Sequence, residues 1–188
     1  MARSRCDRID PFMPVLSLPP APDALVARGI FPRPAVAADA DFMRDVYVAA
    51  RWEEMSVTGW PQELIVAFLH DQFRLQTQHY DTHYAEAARL VIECNGAPVG
   101  KLLLHDNGQE IRIVDIGFTP ASRRRGIGGA LVEWTQDIAR SLGRTCVSLH
   151  VEPNNPAKRL YHRLGFSVIE LRGVYELMEW RVGPVAVS

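Results

Sequence analysis

Two hydrophobic periods alternate along the chain. From Asp39 the apolar positions fall at helical spacing: Phe42, Val46, Val48, Ala49 and Trp52 lie on one stripe, with an aspartate at the start able to cap it. Pro61 suits the first position of a second helix, whose stripe of Ile65, Phe68, Leu69 and Phe73 predicts a run to about His79. The period then shortens. Apolar runs at 89–94, 99–104 and 110–119 are separated by Asn95-Gly96 and Asp106-Asn107-Gly108, which predicts three antiparallel strands joined by tight turns. Ile127, Ala130, Leu131, Trp134 and Ile138 restore the helical period, and Gly143 is the expected stop. Val147, Leu149 and Val151 alternate as a strand, expected parallel to the one before it because a helix connects them. Pro156 opens a last helix that Gly165 ends, and 166–171 and 174–180 form a hairpin around Arg172-Gly173. The expected class is α/β (α+β), with a mixed, mostly antiparallel central sheet and helices on both faces.

The ends lack either period. Pro11, Pro14, Pro19, Pro20, Pro22, Pro32 and Pro34 break any long helix, so residues 1–34 are expected to be a mobile arm or a strap lying on the domain. The folded domain is expected over 35–181, with a tail at 182–188. A length of 188 residues fits one domain, and 47% apolar content is ordinary for a globular chain. A net charge of -1 gives no general attraction to nucleic acid or a membrane surface. Cys6, Cys94 and Cys146 contain no paired spacing for a disulfide framework or a zinc site, so no metal is expected. No apolar run reaches membrane-spanning length, and the expected compartment is the cytoplasm.

The chemistry is concentrated in Arg123-Arg124-Arg125-Gly126-Ile127-Gly128-Gly129, between a strand and a helix. The first turn of a helix leaves its N–H groups without intrahelical partners, and the helix dipole adds positive charge there. Glycines let a phosphate approach those groups, and arginines add donors. The pattern is not a Walker loop, since no Gly-Lys-Ser/Thr follows, and its glycines do not fit G-x-G-x-x-G. What remains is R-x-x-G-x-G, with Arg123, Gly126 and Gly128. Downstream, Asn154, Ala157, Tyr161, Gly165 and Phe166 stand in an N-x-x-A-x-x-x-Y-x-x-x-G-F segment. The two motifs in this order resemble those of the GNAT superfamily of acetyl-CoA-dependent N-acetyltransferases, over about residues 35–181.

That resemblance implies a set of roles. Backbone N–H groups from Arg124, Arg125, Gly126, Ile127, Gly128, Gly129 and Ala130 would hold the CoA pyrophosphate, with Arg123 steadying the turn or a phosphate. Ile116, Gly117 and Phe118 would line the pantetheine arm where the strand splays. Of Asn154 and Asn155, one would bond the pantetheine and the other cap the helix that Pro156 opens, with Ala157 and Tyr161 packed against the arm. Tyr161 would protonate the departing thiolate, as a phenol neutral at pH 7 can. For the base, His150, Asp115 and Glu152 stand at the places that family members use, and a histidine suits the task. The acceptor pocket is expected between the first two helices and the sheet. There Glu53 or Glu54 could hold an amine and Trp52 or Trp60 could pack on it, with His79, Tyr80, His83 and Tyr84 as a second patch. The implied activity is acetyl transfer from acetyl-CoA to a primary amine of a small molecule, amino acid or peptide, by direct attack in a ternary complex. A protein N-acetyltransferase and a non-catalytic CoA-binding sensor are the alternatives. The last strand could pair in a homodimer.

Overall fold

The computed structural model describes Leu16 and residues 18–183. Its elements run α1 (Asp23–Val26), β1 (Ile30–Pro34), α2 (Ala40–Ser56), α3 (Gln62–His83), β2 (Ala88–Cys94), β3 (Ala97–Asp106), β4 (Glu110–Phe118), α4 (Ile127–Ser141), β5 (Cys146–Val151), α5 (Lys158–Arg163), β6 (Ser167–Arg172) and β7 (Tyr175–Arg181). The seven strands form one sheet in the order β1-β2-β3-β4-β5-β7-β6. Every pairing is antiparallel except β4 with β5. That exception follows from the chain: a strand that returns through a helix re-enters the sheet parallel to its predecessor.

Alternation along the strands sends opposite sets of residues to the two faces. On one face Ile127, Leu131, Trp134 and Ile138 of α4 pack with Leu102, Leu104, Ile111, Ile113, Val147, Leu149 and Met178. On the other face α2 and α3 hold a smaller cluster, Tyr47, Ile65 and Leu69, with Val48, Trp52, Met55 and Phe73 packed against it. α3 runs to His83, beyond the expected His79.

The prolines misplace the start of the domain. α1 and β1 lie within the stretch assigned to an arm, and Leu25 and Ile30 are buried in the central core. β1 pairs antiparallel with β2, and Arg33 ties it down through Asp39 and Glu93 at 2.6–2.8 Å. Proline cannot donate to a ladder, but an edge strand has a free side, so Pro32 and Pro34 are accommodated there. Residues 1–15, 17 and 184–188, including nearly half of the arm and most of the tail, lie outside the described residues.

The feature that makes the site is the β4–β5 junction. Only four residue pairs join the two strands, from Glu110↔Cys146 to Ile113↔Leu149. At that level the β3–β4 register shifts: Leu104 faces Ile113 and Leu103 faces Asp115, leaving Val114 as an extra residue. A bulge bends its strand and increases the local twist. Beyond it the two strands diverge, and residues 114–118 keep β3 as their only strand partner.

Candidate active site

A cleft of about 630 Å³ fills the divergence, bounded by β4, β5, α2, α3, α5 and the β6–β7 turn. Beyond the end of β4, past the residues that line the cleft, Arg124 (φ 58) and Gly126 (φ 75) are left-handed. The resulting turn leaves six consecutive N–H groups, Arg124 to Gly129, with no acceptor among the described residues. Ala130 does not join them. Its N–H bonds the Gly126 carbonyl at 3.2 Å and closes the first helical turn. Ile127 anchors the turn in the core. Gly128 and Gly129 sit against neighbours: a Cβ on the first would lie 3.3 Å from Phe118, and one on the second 3.5 Å from Leu160.

Arg123 clamps the turn to the protein. Its Nε donates to the Phe118 carbonyl at 3.2 Å and its Nη2 to the Ala49 carbonyl on α2 at 3.0 Å. Arg124 and Arg125 are exposed. Ile116 and Gly117 line the cleft at the open β4 edge, while Phe118 packs beneath the turn. Gly117 does not make the bulge, which lies at Val114. It makes room for α2, since a Cβ there would come within 3.1 Å of Val46.

Asn155 lines the cleft, and its Oδ1 accepts from the Ala157 N–H at 2.9 Å, which forms a turn ahead of α5 and leaves the helix, whose N-cap residue is Ala157, without a side-chain cap. Asn154 is exposed, and Ala157 packs against the core. Tyr161 is 6% exposed, lines the cleft and lies beside Phe166. Burial first, and the Asp115 charge second, push its phenol up to about 12, so it stays protonated at neutral pH. His150 and Glu152 line the same cleft from the end of β5. Burial, then the Arg112 and Arg172 guanidiniums, hold His150 below the usual imidazole range, so it is neutral and able to accept a proton at pH 7.

Asp115 is not a free carboxylate. Its Oδ2 lies 2.7 Å from Nζ of Lys101, a lysine whose side chain is 6% exposed. Lys101 also lies 5.7 Å from the Tyr47 ring centre and 5.4 Å from that of Phe73. The carboxylate is thus already engaged by an ion pair within the cleft wall. Sequence reasoning missed Lys101. The available signal was one cation in the apolar run Val99–Leu104, four residues from which are core.

The acceptor end divides the expected residues. Glu54 and Tyr84 line the cleft, joined by Arg51, Gln76, His79 and Tyr80. Trp52, Glu53 and Trp60 do not line it. Trp52 turns into the α2–α3 cluster, Glu53 is exposed, and Trp60 packs edge-on against Phe68 with ring centres 5.8 Å apart. The tryptophans were expected to pack on a cationic amine, whereas their apolar area packs them against other side chains. His83 stacks on His79 at 4.4 Å. Glu110, Cys146 and Glu179 bring three potential metal-ligand atoms within 4.8 Å, outside this cleft. Both of those carboxylates are engaged, with Arg112 and Arg181.

The sheet is split beside a helix start with free amides, and comparisons with known proteins identify the family. The sequence model of the Acetyltransferase (GNAT) family matches residues 47–166. The chain belongs to that family. Among solved structures, PaiA N-acetyltransferase from Thermoplasma acidophilum, in complex with coenzyme A, superposes with a TM-score of 0.64 at 16% identity, covering 81% of this chain and 99% of that one. The yncA protein from Salmonella typhimurium, with acetyl-CoA, gives 0.54 at 20% identity over 84% and 96%. Both share the fold. Mycothiol acetyltransferase from Corynebacterium glutamicum (strain R) is 44% identical over 69 residues, which is 36% of this chain and only 23% of that protein. Among the described residues no helix is long and apolar enough to cross a membrane.

Proposed function

We propose that the protein transfers an acetyl group from acetyl-CoA to a primary amine of a small molecule or peptide, by direct attack in a ternary complex. The observation that carries this reading is the set of six free amides at 124–129, which follow the open β4 edge along the chain, together with Tyr161 and His150 in the cleft beside that edge. The turn fits a diphosphate, because it offers donors, a helix N-terminus and no competing acceptor. Acetyl-CoA would supply the activated thioester.

The residues of the chain divide the remaining work. His150, neutral and facing the cleft, takes the proton from the acceptor ammonium, directly or through water. The freed amine attacks the thioester carbonyl. Backbone N–H groups of the open β4 edge are available to polarise that carbonyl. Tyr161, still protonated, donates to the departing thiolate. Asp115 is occupied by its ion pair with Lys101, whereas His150 makes no such pair among the described residues, which ranks His150 above Asp115 as the base. The partial relative's name, mycothiol acetyltransferase, supports a small-molecule acceptor.

The test is a thermal shift with CoA and acetyl-CoA, followed by thiol release across a panel of amines, amino acids and peptides. Stabilisation with release on one amine class supports the reading. Stabilisation without release on any of them favours a CoA-binding sensor, and no stabilisation overturns the site. Tyr161→Phe separates the steps: kcat should fall about 100-fold with acetyl-CoA affinity retained.

A further inference from the structure

Arg28 lies in the stretch where the sequence shows no periodicity, yet the fold brings it to the phosphate turn. Leu25 on one side and Ile30 on the other are buried at 2% and 1% exposure, so the segment between them is held at both ends. Gly29, left-handed at φ 66, turns the chain from α1 into β1. The guanidinium crosses to a residue 97 positions away and donates Nη2 to the Arg125 carbonyl at 3.1 Å. The same nitrogen lies 3.1 Å from where a Cβ on Gly126 would stand, beside the residue that opens α4. Among the described residues no carboxylate pairs with Arg28, and one hydrogen bond occupies one of its five donors.

We propose that Arg28 is a phosphate-binding residue, and that the α1–β1 strap is the second wall of the cradle formed by residues 124–129. The inference rests on the reading of that turn as a CoA site. Its chemistry is that of a planar, permanently charged fork beside a row of amides, suited to a phosphate oxygen that the amides leave exposed. The phosphate is either the diphosphate or the 3′-phosphate of the nucleotide. The bond to the Arg125 carbonyl fixes the guanidinium before the ligand arrives, which lowers the ordering cost of binding.

The experiment is calorimetry on the full chain with CoA, dephospho-CoA and acetyl-pantetheine, for wild type, Arg28→Gln and Arg28→Lys. Glutamine keeps a donor for the Arg125 carbonyl and removes the charge. Arg28→Gln should weaken CoA about five- to tenfold, the scale of one exposed charged hydrogen bond, with Arg28→Lys recovering part of the loss. Its melting temperature without ligand should stay unchanged. A loss confined to CoA places the contact on the 3′-phosphate, whereas an equal loss for dephospho-CoA places it on the diphosphate. CoA affinity within twofold of wild type in Arg28→Gln would overturn the proposal. So would an equal loss for acetyl-pantetheine, which carries no phosphate. Failure of the wild type itself to bind CoA would instead overturn the reading of the turn.

Discussion

Two glycines with the same backbone geometry offer a controlled test of the phosphate turn. Gly126 has φ 75 and Gly173, in the β6–β7 turn, has φ 63. An alanine at either must hold a left-handed conformation, at a cost of about 1–2 kcal/mol. In a domain of this size that lowers the melting temperature by about 2–8 °C. Their surroundings differ. A Cβ on Gly173 meets nothing within 4 Å, whereas one on Gly126 stands 3.1 Å from the Arg28 guanidinium, beside the six free amides. Gly126→Ala therefore places a methyl where a diphosphate must approach. Displacing the ligand from a single amide loses a charged hydrogen bond of about 1.5–3 kcal/mol, or about 10- to 150-fold in affinity. The assay pairs scanning calorimetry of the free variants with titration of CoA. The expected result is similar loss of stability in both variants, with loss of CoA affinity in Gly126→Ala alone. Gly126→Ala binding CoA like Gly173→Ala would refute close approach of the ligand at this turn.

Other consequences are open to direct measurement. The acidic limb of kcat/KM should have its midpoint below pH 6.5, because burial, Arg112 and Arg172 depress the His150 pKa and activity is lost only as pH falls through that value. Arg112→Leu should move the limb upward, and a limb unchanged in His150→Gln would remove His150 as the base. Lys101→Met leaves Asp115 half-buried and unpaired and should cost about 1–3 kcal/mol by urea denaturation. Lys101→Met with Asp115→Asn should recover part of this, and a single variant as stable as wild type would refute the pairing. Deleting residues up to Pro34 removes the buried Leu25 and Ile30 together with the β1 ladder. The apolar loss alone is about 3–6 kcal/mol, and a melting temperature within about 2 °C of the full chain would contradict the strap.

What could be seen in the sequence depended on how locally each feature is encoded. α4 and the β2–β4 meander were legible because period and turn residues agree: Ile127, Leu131 and Ile138 lie on one stripe, and Asn95-Gly96 marks a hairpin. The parallel β4–β5 pairing followed from the intervening helix. β1 was hidden because Pro32 and Pro34 count against a strand unless it is known to lie on an edge. The bulge at Val114 has no composition signal, and Gly117, three residues on, serves instead to admit Val46. Lys101 and Arg28 acquire meaning only through partners far along the chain, Asp115 and Arg125. Trp52 and Trp60 show the opposite failure: residue types common in binding sites were needed for packing.

The split between β4 and β5 also bears on how such a protein can change. The space for ligand is cut from the sheet by diverging strands, and not from the core by missing side chains. Both faces keep their own packed clusters on either side of it. Tyr47, Ile113, Leu149, Val151 and Tyr161 belong to both cleft and core, whereas other cleft positions lie outside the two clusters. Substitutions at cleft positions on α2 and α3 such as Arg51, Glu54, Gln76 and His79 are free to follow a new acceptor while Leu131, Ile138 and Val147 go on specifying the fold. Evolution and design alike can retune what this cleft accepts without renegotiating how the chain folds.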